Sequence, residues 1–591
     1  MNNPRNFYNS QIDHYKSHLS KAAQKLAFSS LLRLAVFLAT AYFVYHFFGN
    51  GTVIVGVLVV GIALFLFLVS RHSNLKYERD KFRELIRINE TELQVLERNF
   101  QELPDGSEFE DPLHPYSQDI DLFGRSSFFQ YLNRTALVEG KQELARHFLS
   151  NDISNIEQRQ EAVKELSEKA DWRQNFSALA ILVKTETRTQ TILNWLKTYK
   201  SFVPKMMRWL PILFSGISGL VLAAFFFDLI GGIELGLWFF TGLFITGIYF
   251  KRVSLLSGSV DKVQETFHQY YQLLALIEDT DFTAEMLKNK KELIASEKEK
   301  ASQILKRFSK TIDALDQRNN MIFGPLGNGF LLWDLRQSYK LEKWIKENSS
   351  KVEQWFRVIE SFDALNSLGN FAFNHPQYVF PEIKEFDPFI TKAEQLAHPL
   401  LDPEKRVAND FIIEKEQFFI ITGANMAGKS TFLRTVSLQI LMSNMGLPVC
   451  AEACTYSPIK LITSMRTTDS LTDDESYFFS ELKRLKYIVD EIKNDKYFII
   501  LDEILKGTNS TDKAIGSRKF IEKLVRSKST GIIATHDLSL CEVSNELPQV
   551  KNYYFDAEII NNDLNFDYRF KKGVCQNMNA SFLLKKMEIV D

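Results

Sequence analysis

The chain has 591 residues, which at about 100–200 residues per domain calls for three or four structural units rather than one core. Its 71 Lys and Arg against 73 Asp and Glu give a net charge of -2, so no bulk positive field recruits nucleic acid and any DNA contact must come from local patches. Hydrophobic residues at 45%, with 49 Phe, exclude a disordered chain and predict surface that faces lipid, while the four cysteines are too few for a disulfide framework and read as reduced core thiols.

Residues 1–27 form a mostly polar N-terminal segment. It holds the one HxxxH pair, His14 and His18, far from Cys450 and Cys454, and this spacing argues against a zinc site. From Leu34 to Ser70 there is no Asp, Glu, Lys or Arg, and Gly49-Asn50-Gly51 breaks the run with a tight turn. The expectation is a transmembrane hairpin over 28–70, its first leg starting near Phe28 with Arg33 snorkelling to the interface. A cleaved signal peptide fits less well, because a long polar stretch precedes the run and a second span follows it at once.

Residues 71–117 predict a charged helix that dissolves into a linker at Pro104-Asp105-Gly106, and 118–208 predict the first part of a helical core. A second hairpin is expected over 209–250, where Asp228 and Glu234 flank a Gly231-Gly232 turn and are the only charges after Trp209. Lys and Arg flank both hairpins at their open ends, so the positive-inside rule places both termini, and everything between the hairpins, in the cytoplasm. A buried helical hairpin of a soluble core is the competing reading, and the charge-free length of the four segments argues against it. Residues 251–370 predict a second part of the helical core, with the Lys- and Glu-rich run 288–307 as a solvated face. Near His375-Pro376 the texture changes to short β-rich runs, so 371–591 is expected to be an α/β domain.

That domain opens its chemistry at Phe418–Thr422, an apolar β-rich run followed directly by Gly423-Ala-Asn-Met-Ala-Gly-Lys-Ser-Thr431 and then by a helical pattern. Strand, glycine loop and helix stand in the order a P-loop requires. Gly423 and Gly428 let backbone N–H groups and a helix N-terminus point at phosphates, Lys429 supplies a charge to the β- and γ-phosphates, and the Ser430 hydroxyl is a Mg²⁺ ligand. The strand Tyr497–Leu501 ends in Asp502-Glu503, a Mg²⁺-holding carboxylate followed by a candidate general base for the attacking water. A further strand, Gly531–Thr535, delivers His536, whose imidazole can hydrogen-bond the γ-phosphate or that water.

This order of motifs resembles the ATP-binding-cassette class of P-loop ATPases, whose sites are completed across a dimer. Thr422–Thr431, Asp502–Thr511 and Ala534-Thr-His536 narrow the likeness to the MutS family of mismatch-repair ATPases, with its GxNMxGKST loop and its acidic strand that runs on into a GT[ST] turn. The likeness extends more weakly to Asp121–Ser127, Leu132-Asn-Arg134 and Glu157–Val163, which look like the start of the family's helical core, and to Ala397-His-Pro399. The resemblance implies ATP and Mg²⁺ as cofactors. It gives ATP-site roles to Gly423, Asn425, Met426, Gly428, Lys429, Ser430, Thr431, Asp502, Glu503 and His536, and makes Ser476, in Asp469–Phe478, the serine offered in trans to a partner's nucleotide. It therefore implies a homodimer.

Leu505, Lys506 and Lys513 depart from the family pattern, in which the first and last are glycine and the second arginine. No mismatch-reading domain is expected before residue 118, where the first hairpin stands. The combined expectation is an α/β P-loop ATPase domain of the ABC/MutS type, an all-α core and lever region, and four transmembrane helices in two hairpins. The expected setting is a bacterial inner membrane, with the lipid bilayer as partner and DNA or another protein left open as the ligand coupled to the ATPase. The alternatives are a tethered sensor of mismatched DNA and an ABC-type transporter subunit, the latter disfavoured because the spans offer no polar substrate pathway.

Overall fold

The computed structural model describes residues 3–182, 188–295, 299–466, 477–560, 563–576 and 589. Two long helices, α1 (Pro4–His46) and α2 (Gly51–Leu96), form an antiparallel hairpin closed by the turn at Gly49, whose φ of 106° needs glycine. Each helix runs without a break from the apolar span into a polar stalk, so the N-terminal segment is helical and the helix predicted after residue 71 is the lower half of α2. The apolar halves are bare: Phe28, Phe37, Val60 and Phe67 are all more than half exposed. In the stalk the pattern reverses, with Tyr15, Leu85 and Ile86 buried and Phe82 stacked on Tyr15 and His18. His14 and His18 thus pack as aromatics, and among the described residues no cluster of His, Cys, Asp or Glu could hold a metal.

The second hairpin pairs α3 (Leu210–Phe226) with α4 (Gly232–Glu278), joined by a turn in which Asp228 takes a φ of 56°. Among the described residues three helices, α1, α2 and α4, are long and apolar enough to cross a membrane. The expected fourth leg, α3, has 17 residues and is about 25 Å long at 1.5 Å per residue, short of a hydrocarbon core of about 30 Å.

Five helices between Phe128 and Thr198 make the first part of the core, and α5 (Ala301–Asp316), α6 (Phe323–Leu331) and α7 (Trp333–Asn374) follow α4. The 42-residue α7 organises this region. Leu341, Ile345, Val352, Phe356, Ile359 and Phe362 recur at helical spacing and are buried, with Trp344 stacked on Phe308 at a ring distance of 3.9 Å. Buried carboxylates on helices hold the loops: Asp363 accepts the N–H groups of Ala136 and Leu137, and Glu342 accepts those of Phe202 and Val203, just ahead of the second hairpin.

At the change of texture near 370–385, α7 ends at Asn374 and strands begin at β1 (Glu382–Ile383). A small sheet of order β1-β5-β2-β3 contains β2 (Phe389–Leu396), β3 (Asn409–Glu414) and β5 (Ala453–Tyr456). The main sheet has the order β12-β9-β4-β8-β7-β6, from β4 (Phe418–Gly423), β6 (Lys460–Ser464), β7 (Tyr497–Asp502), β8 (Thr530–Ala534), β9 (Val550–Phe555) and β12 (Lys571–Lys572). All its pairings are parallel except that of β12 with β9, and β4, β7 and β8 are buried on both faces, as their continuous apolar runs require. A hairpin of β10 (Ala557–Ile560) and β11 (Asp563–Phe566) stands apart. Helices α8 (Lys429–Asn444), α9 (Tyr477–Glu491) and α10 (Ser510–Arg526) complete the domain, and all four cysteines are buried thiols.

The two regions share one apolar cluster that runs from Val95 to Ala557, and polar ties add to it. Thr463 donates its N–H to the Pro115 carbonyl, Arg434 on α8 pairs with Asp121 at 3.1 Å, and Arg159 donates to the Asn444 carbonyl at the end of α8.

Candidate nucleotide site

The strand order puts the C-terminal ends of β4, β8 and β7 side by side, so the loops leaving them converge at one edge. Backbone bonds from Thr535 N to the Ile421 carbonyl and from Glu503 N to the Ala534 carbonyl lock these ends together. The loop after β4 takes φ values that side chains resist: 153° at Gly423, 100° at Gly428 and 67° at Met426. A Cβ at Gly423 would also come within 2.6 Å of the Phe555 carbonyl oxygen, so glycine is required there twice over.

Lys429 begins α8 and folds its Nζ back to the carbonyls of Gly423 (2.7 Å) and Ala424 (3.0 Å), with His536 Nε2 at 3.2 Å. Burial pushes the Lys429 ammonium below its ordinary range, and burial followed by the Lys429 charge lowers His536, so the imidazole is neutral and accepts from the ammonium. Ser430 Oγ donates to Asp502 Oδ2 at 2.7 Å. Burial raises the Asp502 carboxyl, and the Ser430 hydroxyl, Lys506 and Lys429 oppose that shift. Glu503 Oε1 stands 3.9 Å from both His536 Nε2 and Lys513 Nζ.

Lys429, Ser430, Asp502, Glu503 and His536 line a cleft of 570 Å³, whose lining also includes His398, Arg406, Asn409 and Tyr568. Of the residues singled out from sequence, Gly423, Asn425, Met426, Gly428, Lys429, Ser430, Thr431, Asp502, Glu503 and His536 all lie at this edge, with Asn425 and Thr431 exposed to the cleft. Ser476 lies outside the described residues. The residues fit a Mg²⁺-bound nucleoside triphosphate: one hydroxyl and one carboxylate oxygen converge as hard donors, and a lysine and a helix N-terminus face the phosphate position.

Three contributors were not visible in the sequence. Tyr568 lies over the loop, where a Cβ at Gly428 would be 3.1 Å from its ring, and only folding from 140 residues away brings it there. Glu481 on α9 is buried and accepts the N–H groups of Leu505 and Lys506, which fixes the exit from the acidic strand. Arg466, the last described residue before the segment carrying Ser476, is held by Asp119 through its N–H and by Asp121 through its guanidinium.

The strand inserted between the phosphate-loop strand and the acidic strand, with the acid pair and histidine at their ends, defines a P-loop nucleotide-binding domain of the ATPase type. Comparison with known proteins narrows this class. The family profile for MutS domain V matches residues 419–587. The chain is 31% identical over 261 residues to MutS protein homolog 4 of Homo sapiens (42% of this chain, 27% of that protein). It is 30% identical over 244 residues to the DNA mismatch repair protein MutS of Flavobacterium johnsoniae (40% and 28%), and 28% identical over 253 residues to the DNA mismatch repair protein MSH4 of Arabidopsis thaliana (41% and 31%). Residues 419–587 thus match MutS domain V, and the chain's matches span only about a quarter to a third of the length of these relatives.

Proposed function

We propose that the chain is a membrane-anchored, Mg²⁺-dependent ATPase of the MutS type that works as a homodimer, with nucleotide-driven closure acting on the helical levers. The observation that carries the reading is the Ser430–Asp502 contact beside Lys429, at the edge where Glu503 and His536 also end, in a chain whose long apolar helices are left bare. Lys429 leaves its carbonyl partners to meet the phosphates, Ser430 and Asp502 open to hold the cation, and Glu503 takes the proton from water while His536 orients the γ-phosphate. Mg²⁺ held by Ser430 and Asp502 would supply charge neutralisation at the phosphates while the water, its proton passed to Glu503, bonds to the γ-phosphorus and ADP leaves. Ser476 of a second copy completes the site. Both hairpins cross a bacterial inner membrane, α3 as a short fourth span, with the ATPase domain and both termini in the cytoplasm.

A second reading, a tethered mismatch sensor, is favoured by the names of the relatives, two of which are called DNA mismatch repair proteins. The net charge of -2 offers no general attraction to phosphates, so any DNA binding is expected to be weak, non-specific and strongly salt-dependent. The test is the ATPase rate of the detergent-solubilised protein with and without duplex, mismatched and branched DNA. A rate that DNA leaves unchanged supports the first reading. A mismatched duplex bound at least about tenfold (roughly 1.4 kcal/mol) more tightly than its matched control, by anisotropy at moderate salt, selects the second.

A further inference from the structure

Met321 to Trp333 is a charge-free run between Asn320 and Asp334, and α6 lies within it. Met321, Ile322 and Leu326 are 93%, 74% and 49% exposed, an arrangement that costs free energy in water. The neighbours of α6 are the membrane hairpin. A Cβ at Gly242 on α4 would fall 2.1 Å from the Gly329 carbonyl oxygen, and one at Gly329 would strike the Phe239 ring, so the two backbones touch, and Phe330 packs on Phe239 at 5.3 Å. Charge returns to α4 at Lys251, nine residues after Gly242 (251 minus 242), so this contact lies about 13 Å inside the apolar span.

Both ends of α6 return to the level where that span stops. Arg318, just before α6, lies over the Phe250 ring, donates to Ser254 Oγ and pairs with Asp334 Oδ2 at 3.0 Å, with both side chains under one-tenth exposed. Leu332, at a φ of 49°, turns the chain from α6 into α7, and Asn328 Oδ1 accepts the Asp334 N–H at the start of that helix. At membrane depth a backbone that leaves regular structure survives only against protein, which the Gly324–Arg318 and Gly329–Gly242 contacts supply.

We infer that α6 is a re-entrant membrane element. It enters the hydrocarbon beside α4 without crossing, exposes Ile322 and Leu326 to acyl chains, and forms the membrane foot of α7, a lever about 63 Å long at 1.5 Å per residue that ends at the nucleotide-binding domain. Ile322 and Leu326 on α6 are exposed, as are Phe240, Phe244 and Ile248 on the span of α4 that α6 touches, which is why lipid, rather than a protein segment, is its occupant.

The inference rests on the membrane-anchored reading, and the experiment separates the two. The full chain in phosphatidylcholine nanodiscs is spin-labelled at one added cysteine at a time, Leu326→Cys, Phe244→Cys on α4 or Lys310→Cys on α5, the native thiols being buried. Collision with oxygen is compared with collision with a water-soluble nickel chelate. The oxygen-to-nickel ratio at 326 should lie within about twofold of that at 244 and roughly tenfold above that at 310. A ratio at 326 that matches 310, while 244 remains lipid-like, overturns the inference alone. A water-like ratio at 244 overturns the membrane reading and this inference with it.

Discussion

Lys513 Nζ lies 3.9 Å from Glu503 Oε1, so the carboxylate proposed as the general base has a cation beside it, contributed by α10. The ammonium competes with an incoming water for that carboxylate oxygen, an effect moderated because both side chains are about one-quarter exposed. Lys513→Ala should therefore raise kcat by about two- to tenfold with little change in nucleotide affinity. A kcat that falls would give Lys513 a supporting role instead.

Removing the base and removing the phosphate anchor should separate turnover from binding. Glu503→Gln is expected to bind MgATP normally and to lose at least about a hundredfold in turnover, whereas Lys429→Ala should weaken nucleotide binding itself. Equilibrium binding and steady-state hydrolysis, measured on both variants, decide the roles. Parental turnover in Glu503→Gln removes the general-base assignment, and parental affinity in Lys429→Ala removes the phosphate-cradle reading.

Leu505 occupies a glycine position of the family pattern and adopts a φ of 61°, with its side chain buried against α10. Truncation loses apolar burial whichever small residue replaces it, but only glycine relaxes the backbone. Leu505→Gly should thus be more stable than Leu505→Ala by about 1 kcal/mol, the reverse of the order found in helices. Denaturant melts of the two variants supply the comparison, and an alanine variant at least as stable as the glycine variant would contradict it.

The sequence made the phosphate loop, Asp502, Glu503 and His536 legible because each is a local pattern, an apolar strand with a functional residue at its end. The hairpin turns were legible too, since glycine and charge mark them. What stayed hidden depends on long-range packing. Glu481 looks like ordinary helix surface until α9 folds against the acidic strand, and Lys513, marked in the sequence only as a departure from the family pattern, meets Glu503 only through the packing of α10. The run Met321–Trp333 is too short to read as a span, and its place beside Gly242 follows from the fold alone. The stalks of α1 and α2 look like separate segments because polarity changes along them while the helix does not.

Acid should loosen the joint between core and ATPase domain. His375 is buried, accepts from the Tyr131 hydroxyl at Nε2 and donates from Nδ1 to the Phe371 carbonyl, and burial lowers it from 6.5 to about 4. Its folded value lies below its unfolded one, so the unfolded chain takes up the proton first. Stability is whole above about pH 6.5 and falls towards pH 4, by about 3 kcal/mol at most. In His375→Gln that part of the pH dependence should vanish, and an unchanged slope between pH 6.5 and 4 would show that another group is responsible.

The most direct measurement is ATP hydrolysis in membranes stripped by an alkaline wash, from cells making either the parent chain or Glu503→Gln. The account predicts that Mg²⁺-dependent activity stays with the washed membranes and falls at least about a hundredfold in the variant. Activity that leaves with the wash, or that persists in the Glu503→Gln membranes, would contradict it.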